Sequence, residues 1–249
     1  MIKKKSIILL IFSLIFLGIK AQESVRETHG FTDWSFGFGL GSIQFFGDLD
    51  MGQDLSSAFY LHLNKEINSN YDLQLEFVKG DMTGKELSSD PAKIDEVFDA
   101  EFMQYDVNFL INISSFFDGK MNSKDCRLNE FIKNRKLNLF TKIGAGLNLF
   151  RTKRNELNSG NFINSYGYEW MWQNNFEDAG SIKESWKNTI AEASFVLGFV
   201  IEYQTFKGNK VQFSVVNRSG GGDKWDAKIN NKDDMFIFYS LGTTINLSK

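Results

Sequence analysis

The sequence predicts an all-β protein, an eight-stranded antiparallel up-and-down transmembrane β-barrel. Three observations lead to this prediction. Eight segments alternate apolar residues with polar or small ones, which is the two-residue period of a strand with unlike faces. The connections between these segments differ in length in the way that outer-membrane barrels require. The polar faces contain many Gly, Ser and Asn residues, whereas a soluble surface would favour Lys and Glu.

The first predicted strand, 32–46, shows the pattern most clearly. Between Trp34 and Leu40, large apolar residues alternate with serine and glycine. A face made of glycine suits the crowded interior of a small closed barrel, where long side chains from other strands need room. The other seven segments show the same period, and we predict strands at 57–66, 71–79, 102–114, 137–150, 189–203, 211–218 and 235–248.

The N-terminus has the three parts of a secretory signal. Lys3, Lys4 and Lys5 precede an apolar run from Ile7 to Ile19, and a cleavage site is expected after Ala21. We therefore expect a signal peptide at 1–21, a short periplasmic leader at 22–31 and the barrel at 32–249. Beyond the signal no stretch reaches 18 apolar residues, so a membrane-spanning form would have to be a closed barrel, whose backbone groups all find partners.

Composition narrows the class of protein further. Of 249 residues, 15% are aromatic and only one is proline, which suits long uninterrupted strands. Cys126 is the single cysteine, so no intramolecular disulfide can form. Without the signal the chain carries 24 basic and 31 acidic residues, which argues against a nucleic-acid partner. No cofactor or metal motif is present, and we expect none to be bound.

The connection lengths predict the orientation. If the chain starts in the periplasm, the long connections 80–100, 151–187 and 219–233 face outward, while the tight turns 67–70 and 207–209 face the periplasm. The connection 115–136 is long although it falls on the periplasmic side. It is basic and has apolar residues at helical spacing, so it is a candidate contact for a protein partner or, alternatively, a solvated loop. The residues proposed for this contact are Lys124, Arg127, Leu128, Phe131, Lys133 and Arg135.

A second candidate contact is the aromatic outer loop. Tyr and Trp at this density mark contact surfaces or ligand platforms, and the alternative is a small core folded over the barrel mouth. The residues proposed here are Tyr166, Tyr168, Trp170 and Trp172.

Inward-facing charges form the third candidate site. They would be a proton or ion path, or else a plug of salt bridges, because burial forces such charges to pair. The proposed lumen residues are Asp72, Glu76, Asp106, Lys142 and Glu192, with Glu202 and Arg218 on the same inner faces. An enzyme is not expected: only His29 and His62 are available as histidine bases, and neither has an evident nucleophile partner.

Alternation alone does not decide which face is outside, because a soluble lipocalin-like barrel buries its apolar face. The length of the strands favours the membrane, as does the position of aromatic residues near strand ends, where interfacial girdles form. The predicted girdle residues are Trp34, Tyr71, Tyr105, Tyr203 and Tyr239.

Three segments resemble the small eight-stranded outer-membrane barrels of Bacteroidota. They are the end of the first strand at Phe46-Gly47-Asp48-Leu49, the hairpin around 66–86, and LFTKIGAGLNL at 139–149. The similarity is greatest to the PorG-like family, which is associated with the type IX secretion and gliding machinery. This resemblance implies a non-enzymatic barrel that contacts outer-membrane lipid and connects the membrane to periplasmic proteins of the secretion complex. The alternative is an OmpA-like or porin-like structural barrel without a secretion role.

Overall fold

The computed structural model describes residues 34–47, 55–68, 70–87, 94–114, 137–167, 189–205, 209–222, 224–228 and 234–247. These residues form nine strands. They are β1 (Trp34–Phe46), β2 (Leu55–Asn68), β3 (Tyr71–Glu86), β4 (Glu96–Asn112), β5 (Leu137–Glu156), β6 (Phe162–Tyr166), β7 (Ile190–Gln204), β8 (Lys210–Gly220) and β9 (Met235–Asn246).

Eight of these strands close into a barrel. Each pairs antiparallel with its neighbours in the order β4-β3-β2-β1-β9-β8-β7-β5, and pairing of β4 with β5 closes the ring. The short β6 lies outside the ring and pairs with β5 alone among the described strands. The prediction of an eight-stranded antiparallel barrel is therefore confirmed. No helix within the described ranges is long and apolar enough to cross a membrane.

The barrel has two unlike ends. At one, called the loop end here, lie the connections that join β1 to β2, β3 to β4, β5 to β7 and β8 to β9. At the other, called the turn end here, β2 is followed by β3 and β7 by β8 after short connections, and β4 by β5 after the longer connection 113–136. β1 begins and β9 ends at the turn end, so the first and last residues of the barrel wall lie side by side.

Two long connections predicted from the sequence contain strand in their described parts. β3 continues to Glu86 and β4 starts at Glu96, and they stay paired up to the Glu86–Glu96 position, so the predicted loop 80–100 is wrong for residues 80–86 and 96–100. Similarly, β5 continues to Glu156 and then pairs with β6, so the predicted loop 151–187 is wrong for those residues. The wall formed by β3, β4 and β5 therefore projects further at the loop end than the predicted strands do.

The polarity of the two faces inverts along β3 and β4, which explains the first error. Beyond Phe150 both faces of β5 are polar, which explains the second. In the lower part of β4 the outward residues Tyr105 and Phe109 are apolar and exposed, while the inward Asp106 and Asn108 are buried. Above Met103 the outward residues become Asp99 and Glu101, and the inward ones become apolar. The period of two persists through the change, but the apolar residues move from the outer face to the inner face.

The interior of the barrel is consequently layered. Toward the loop end it is a cluster of buried apolar side chains, and toward the turn end Leu110, Phe140 and Val200 form a smaller one. Buried charged and amide side chains lie between and beside them. The larger cluster consists of Ile43, Phe45, Ala58, Tyr60, Val78, Met82, Phe98, Ala100, Phe102, Phe150, Trp225, Phe236 and Phe238.

Candidate functional site: a filled lumen inside an apolar belt

Glycines on the inner face make room for large side chains of adjacent strands. A Cβ atom on Gly37 would collide with the imidazole of His62, and one on Gly39 would collide with the ring of Tyr60. His62 stacks on Tyr60, with ring centroids 5.6 Å apart, and its Nε2 lies 3.1 Å from Thr244 Oγ1. The sequence predicts that polar residues of the third, fourth and sixth predicted strands fill this space. In the structure, the side chains nearest to these two glycines come instead from β2 and β9.

The same arrangement recurs on β5. A Cβ on Gly144 would meet the amide of Asn108, and a Cβ on Gly146 would meet the carboxylate of Asp106. Both polar residues come from β4, and each lies directly opposite the glycine in the strand register. The glycines therefore provide the space in which the charged side chains of the lumen meet.

Four charged side chains cross the lumen at mid-height. Arg218 on β8 binds Glu76 on β3, with Nη2 2.9 Å from Oε1, and its other terminal nitrogen binds Asp106. Lys142 on β5 binds the second oxygen of Glu76. β3 and β8 stand on opposite sides of the ring, four strands apart in either direction. The Arg218–Glu76 pair therefore spans the lumen and ties opposite walls together.

Amide side chains extend this charged layer around the ring. Asn108 donates to Glu76 at 3.0 Å, and Gln74 donates to Asn64 at 2.9 Å. Gln104 donates to Asp106 at 2.7 Å and to Ser194 at 2.9 Å. Hydrogen bonds of this kind offset the cost of removing charges from water, which ion pairing alone does not reliably do. The layer therefore has the composition of a structural plug.

An apolar cap built around Trp225 closes the lumen above the charged layer. Trp225 belongs to the connection between β8 and β9, is fully buried, and packs against Phe150 and Phe236. Its indole Nε1 donates to Glu192 at 3.1 Å, and its backbone nitrogen donates to Asp234 at 2.6 Å. The described part of this connection, around Trp225, thus folds into the mouth of the barrel.

Contacts at the mouth hold this connection in place. Asn164 of β6 donates to the carbonyl of Ala227 at 3.1 Å, and Lys228 pairs with Glu86 at the upper end of β3. Ala227 has a φ of 60°, a left-handed conformation that costs a non-glycine residue about 1–2 kcal/mol. The surrounding contacts must therefore outweigh the tendency of this segment to relax.

The outer surface of the barrel carries a continuous apolar belt. Exposed Leu and aromatic side chains face outward on each of the eight barrel strands. Trp34, Tyr71 and Tyr203 lie outward at the turn end, whereas Tyr105 and Tyr239 lie closer to the loop end. Above the belt the outer faces of β3 and β4 carry charged residues such as Lys79, Asp81, Asp99 and Glu101.

The predicted site residues fall into three groups in the structure. Glu76, Asp106 and Lys142 meet in the charged layer. Asp72 faces inward near the turn end, and Glu192 lies at the mouth beside Trp225, so neither joins that layer through a hydrogen bond that the structure records. A separate pair, Glu202–Lys210 at 2.8 Å, lies near the turn end.

Of the proposed partner contacts, one lies on a described strand. Tyr166 lies on β6, half-buried, and pairs with Thr152 of β5. The remaining proposed contacts lie outside the described residues. These are Lys124, Arg127, Leu128, Phe131, Lys133 and Arg135 in the basic connection, and Tyr168, Trp170 and Trp172 in the aromatic loop.

Sequence reasoning missed the apolar cap. Trp225 stands in a Gly-rich polar stretch with no periodicity, so nothing in its neighbourhood indicated burial. The inward apolar residues of β3 and β4, such as Val78, Met82 and Phe98, were part of or next to a predicted loop. An alternation pattern followed through its change of polarity would have identified them.

The described residues offer no metal centre, since no group of three His, Cys, Asp or Glu side chains among them could hold an ion. His62 is buried against Tyr60 and Thr244. His62 therefore faces the lumen and is not exposed on the outer surface of the barrel.

No protein-family model matches this sequence, and no curated protein is significantly similar to it. Among solved structures, Neisserial surface protein A (NspA) is 10% identical, with a TM-score of 0.44, and the match covers 86% of this chain and 97% of that one. Ail, the attachment invasion locus protein of Yersinia pestis, in complex with a heparin analogue, is 13% identical with a TM-score of 0.44, covering 85% and 97%. The outer-membrane enzyme PagL is 12% identical with a TM-score of 0.34, covering 86% and 99%. With sequence identities and TM-scores this low, these similarities indicate nothing about function.

Proposed function

We propose that this protein is a non-enzymatic β-barrel of the bacterial outer membrane, with a structural or anchoring role and a lumen closed to solutes. The observation that carries the proposal is the inversion of polarity along the strands. An apolar outside with a polar inside suits a barrel wall in hydrocarbon, and the reverse arrangement at the loop end suits a wall in water. One wall with both arrangements fits a barrel that crosses a membrane and projects beyond it.

A porin-like channel is less well supported. Eight strands enclose a lumen that side chains can fill. Here Arg218 and Glu76 bridge the lumen, and the apolar cluster with Trp225 lies above them. An ion entering from either end would have to displace a buried salt bridge or cross an apolar core, and both steps are costly.

Conductance of the refolded protein in a planar bilayer tests the closed lumen. We expect the wild-type protein to give no steady conductance. Lys142→Met should also give none, because the Arg218 salt bridges and the apolar cap remain in place. The folded state of each sample is checked by its heat-modifiable mobility on a gel. Stable channels formed by the folded wild-type protein would contradict the closed lumen and favour an ion path.

A role in type IX secretion is the finer form of this proposal, and its support is the resemblance to the PorG-like barrels. Under this form, the basic connection 115–136 contacts a periplasmic partner of the secretion complex. The membrane-extracted protein should then co-purify with that partner, and deletion of 115–136 should remove it without removing the barrel from the membrane. Purification as an isolated monomer would favour the OmpA-like or porin-like alternative, and activity on lipid would favour an enzyme.

A further inference from the structure

We propose that the lumen binds ordered water in a polar pocket around Asn148, between the charged layer and the apolar cap. Asn148 lies on β5, faces inward and is fully buried. Neither its amide nitrogen Nδ2 nor its carbonyl oxygen Oδ1 has a hydrogen-bond partner among the described residues. This site goes beyond the proposed structural role and does not depend on a part in secretion.

The strand register places two more polar side chains beside Asn148. Gln104 on β4 and Glu192 on β7 lie directly opposite it, one on each neighbouring strand. All three residues face inward and form one row across the inner wall. Directly opposite residues of an antiparallel pair have Cβ atoms about 4.5–5.5 Å apart. Amide groups at this spacing that do not bond each other are within reach of one bridging water.

The amide of Gln104 is fixed in one orientation. Its Nε2 donates to the carboxylate of Asp106 at 2.7 Å and to Ser194 Oγ at 2.9 Å. Only the amino group of an amide can donate to a carboxylate, so the nitrogen and oxygen of this amide cannot be exchanged. Gln104 Oε1 therefore lies on the side of the amide away from these bonds, buried and without a hydrogen bond from any described residue.

The pocket is closed on both sides along the barrel axis. The next inward row toward the loop end consists of Phe102, Phe150 and Ile190, which belong to the larger apolar cluster or pack against it. Toward the turn end lie the buried side chains of Asp106 and Ser194. Burial of polar atoms without partners costs free energy, and bound water removes that cost.

Water matches the polar atoms of the pocket better than an ion does. The unpaired atoms are one donor, Asn148 Nδ2, and two neutral acceptors, Asn148 Oδ1 and Gln104 Oε1. Water accepts a hydrogen bond from the donor and gives its own hydrogens to the acceptors, so it suits both kinds of atom. A cation would suit only the two oxygens, and an anion would suit only the nitrogen.

Water at Asn148 extends the hydrogen bonds of the cap to the charged layer. Trp225 Nε1 in the cap donates to Glu192, at one end of the row. Gln104, at the other end, donates to Asp106 of the charged layer. Asn148 lies between these two bonds, so water held there joins the cap and the charged layer into one network.

A crystal structure of the full-length protein, at a resolution that shows ordered water, tests the site directly. We expect density for water within hydrogen-bond distance of both Asn148 and Gln104 Oε1. The matched control is Gln74, a fully buried inward amide on β3 that donates directly to Asn64 at 2.9 Å, so no water is expected between these two. A dry pocket, a direct Asn148–Gln104 hydrogen bond, or an ion in place of water would overturn the proposal.

Cross-relaxation between water and side-chain amide protons tests the site in solution, by NMR of the full-length protein refolded in detergent micelles. The Asn148 signals are identified by their loss in Asn148→Leu; if that variant does not fold, sequential assignment of the wild type replaces it. We expect a water cross-peak with the sign of a long-lived bound water, at least several-fold stronger for Asn148 than for the Gln74 control. Signals of equal strength, or none for Asn148, would overturn the proposal.

Discussion

At the residue scale, the barrel depends on pairing very small residues with large ones. The bare inner face of β1 could be predicted from the alternation of glycine with aromatic residues. The identity of the side chains that fill the space could not, because it depends on the register between strands. His62 and Tyr60 lie over Gly37 and Gly39 because β1 and β2 pair with these residues directly opposite one another.

This pairing predicts unequal effects of substitution on the two faces of β1. Gly37→Leu or Gly39→Leu should overpack the lumen against His62 or Tyr60, lowering the free energy of unfolding by about 1–3 kcal/mol or preventing closure. Phe36→Leu or Phe38→Leu on the outer face should be tolerated. Urea unfolding in lipid vesicles measures the difference, and similar losses from both pairs would show that the inner and outer faces are wrongly assigned.

At the element scale, the strands are longer than the sequence patterns indicated. The part of each strand with an apolar outer face was predicted closely, as in β5, where Leu139 and Leu149 face outward and Lys142 and Asn148 face inward. The predicted strands stopped where the outer face became polar. Above that level the inner faces of β3 and β4 carry apolar residues, so these two strands continue over a small core of their own. Hydrophobic periodicity alone shows that apolar and polar residues alternate, but it does not show which face of the strand is exposed to water.

The connection between β8 and β9 behaves as an extension of that core. Trp225→Ala would remove the largest buried side chain of the cap and leave a cavity against Phe150 and Phe236. We expect the free energy of unfolding to fall by about 3–5 kcal/mol. The control is Trp34→Ala at the outer edge of the turn end, where a smaller loss is expected. Equal losses from both substitutions would mean that the cap does not contribute to the core.

At the scale of the whole molecule, closure of the ring and its polar interior together explain the architecture. The eight-strand count could be predicted because each strand carries its own alternation. The crossing of the lumen by Arg218 and Glu76 could not, since it depends on which strands become opposite after closure. The charged layer, the apolar cap and the outer belt then describe a barrel that is filled inside and apolar outside, as the proposed membrane location requires.

Accessibility of spin labels along the outer face of β4 tests this account most directly. In protein with Cys126→Ser, a nitroxide would be placed on single cysteines at Asp99, Glu101, Tyr105, Val107 or Phe109, and the barrel reconstituted in lipid vesicles. The account predicts that labels at 99 and 101 collide with a water-soluble nickel reagent, whereas those at 105, 107 and 109 collide with oxygen dissolved in the bilayer. Water accessibility at 105, 107 and 109 equal to that at 99 and 101 would contradict it.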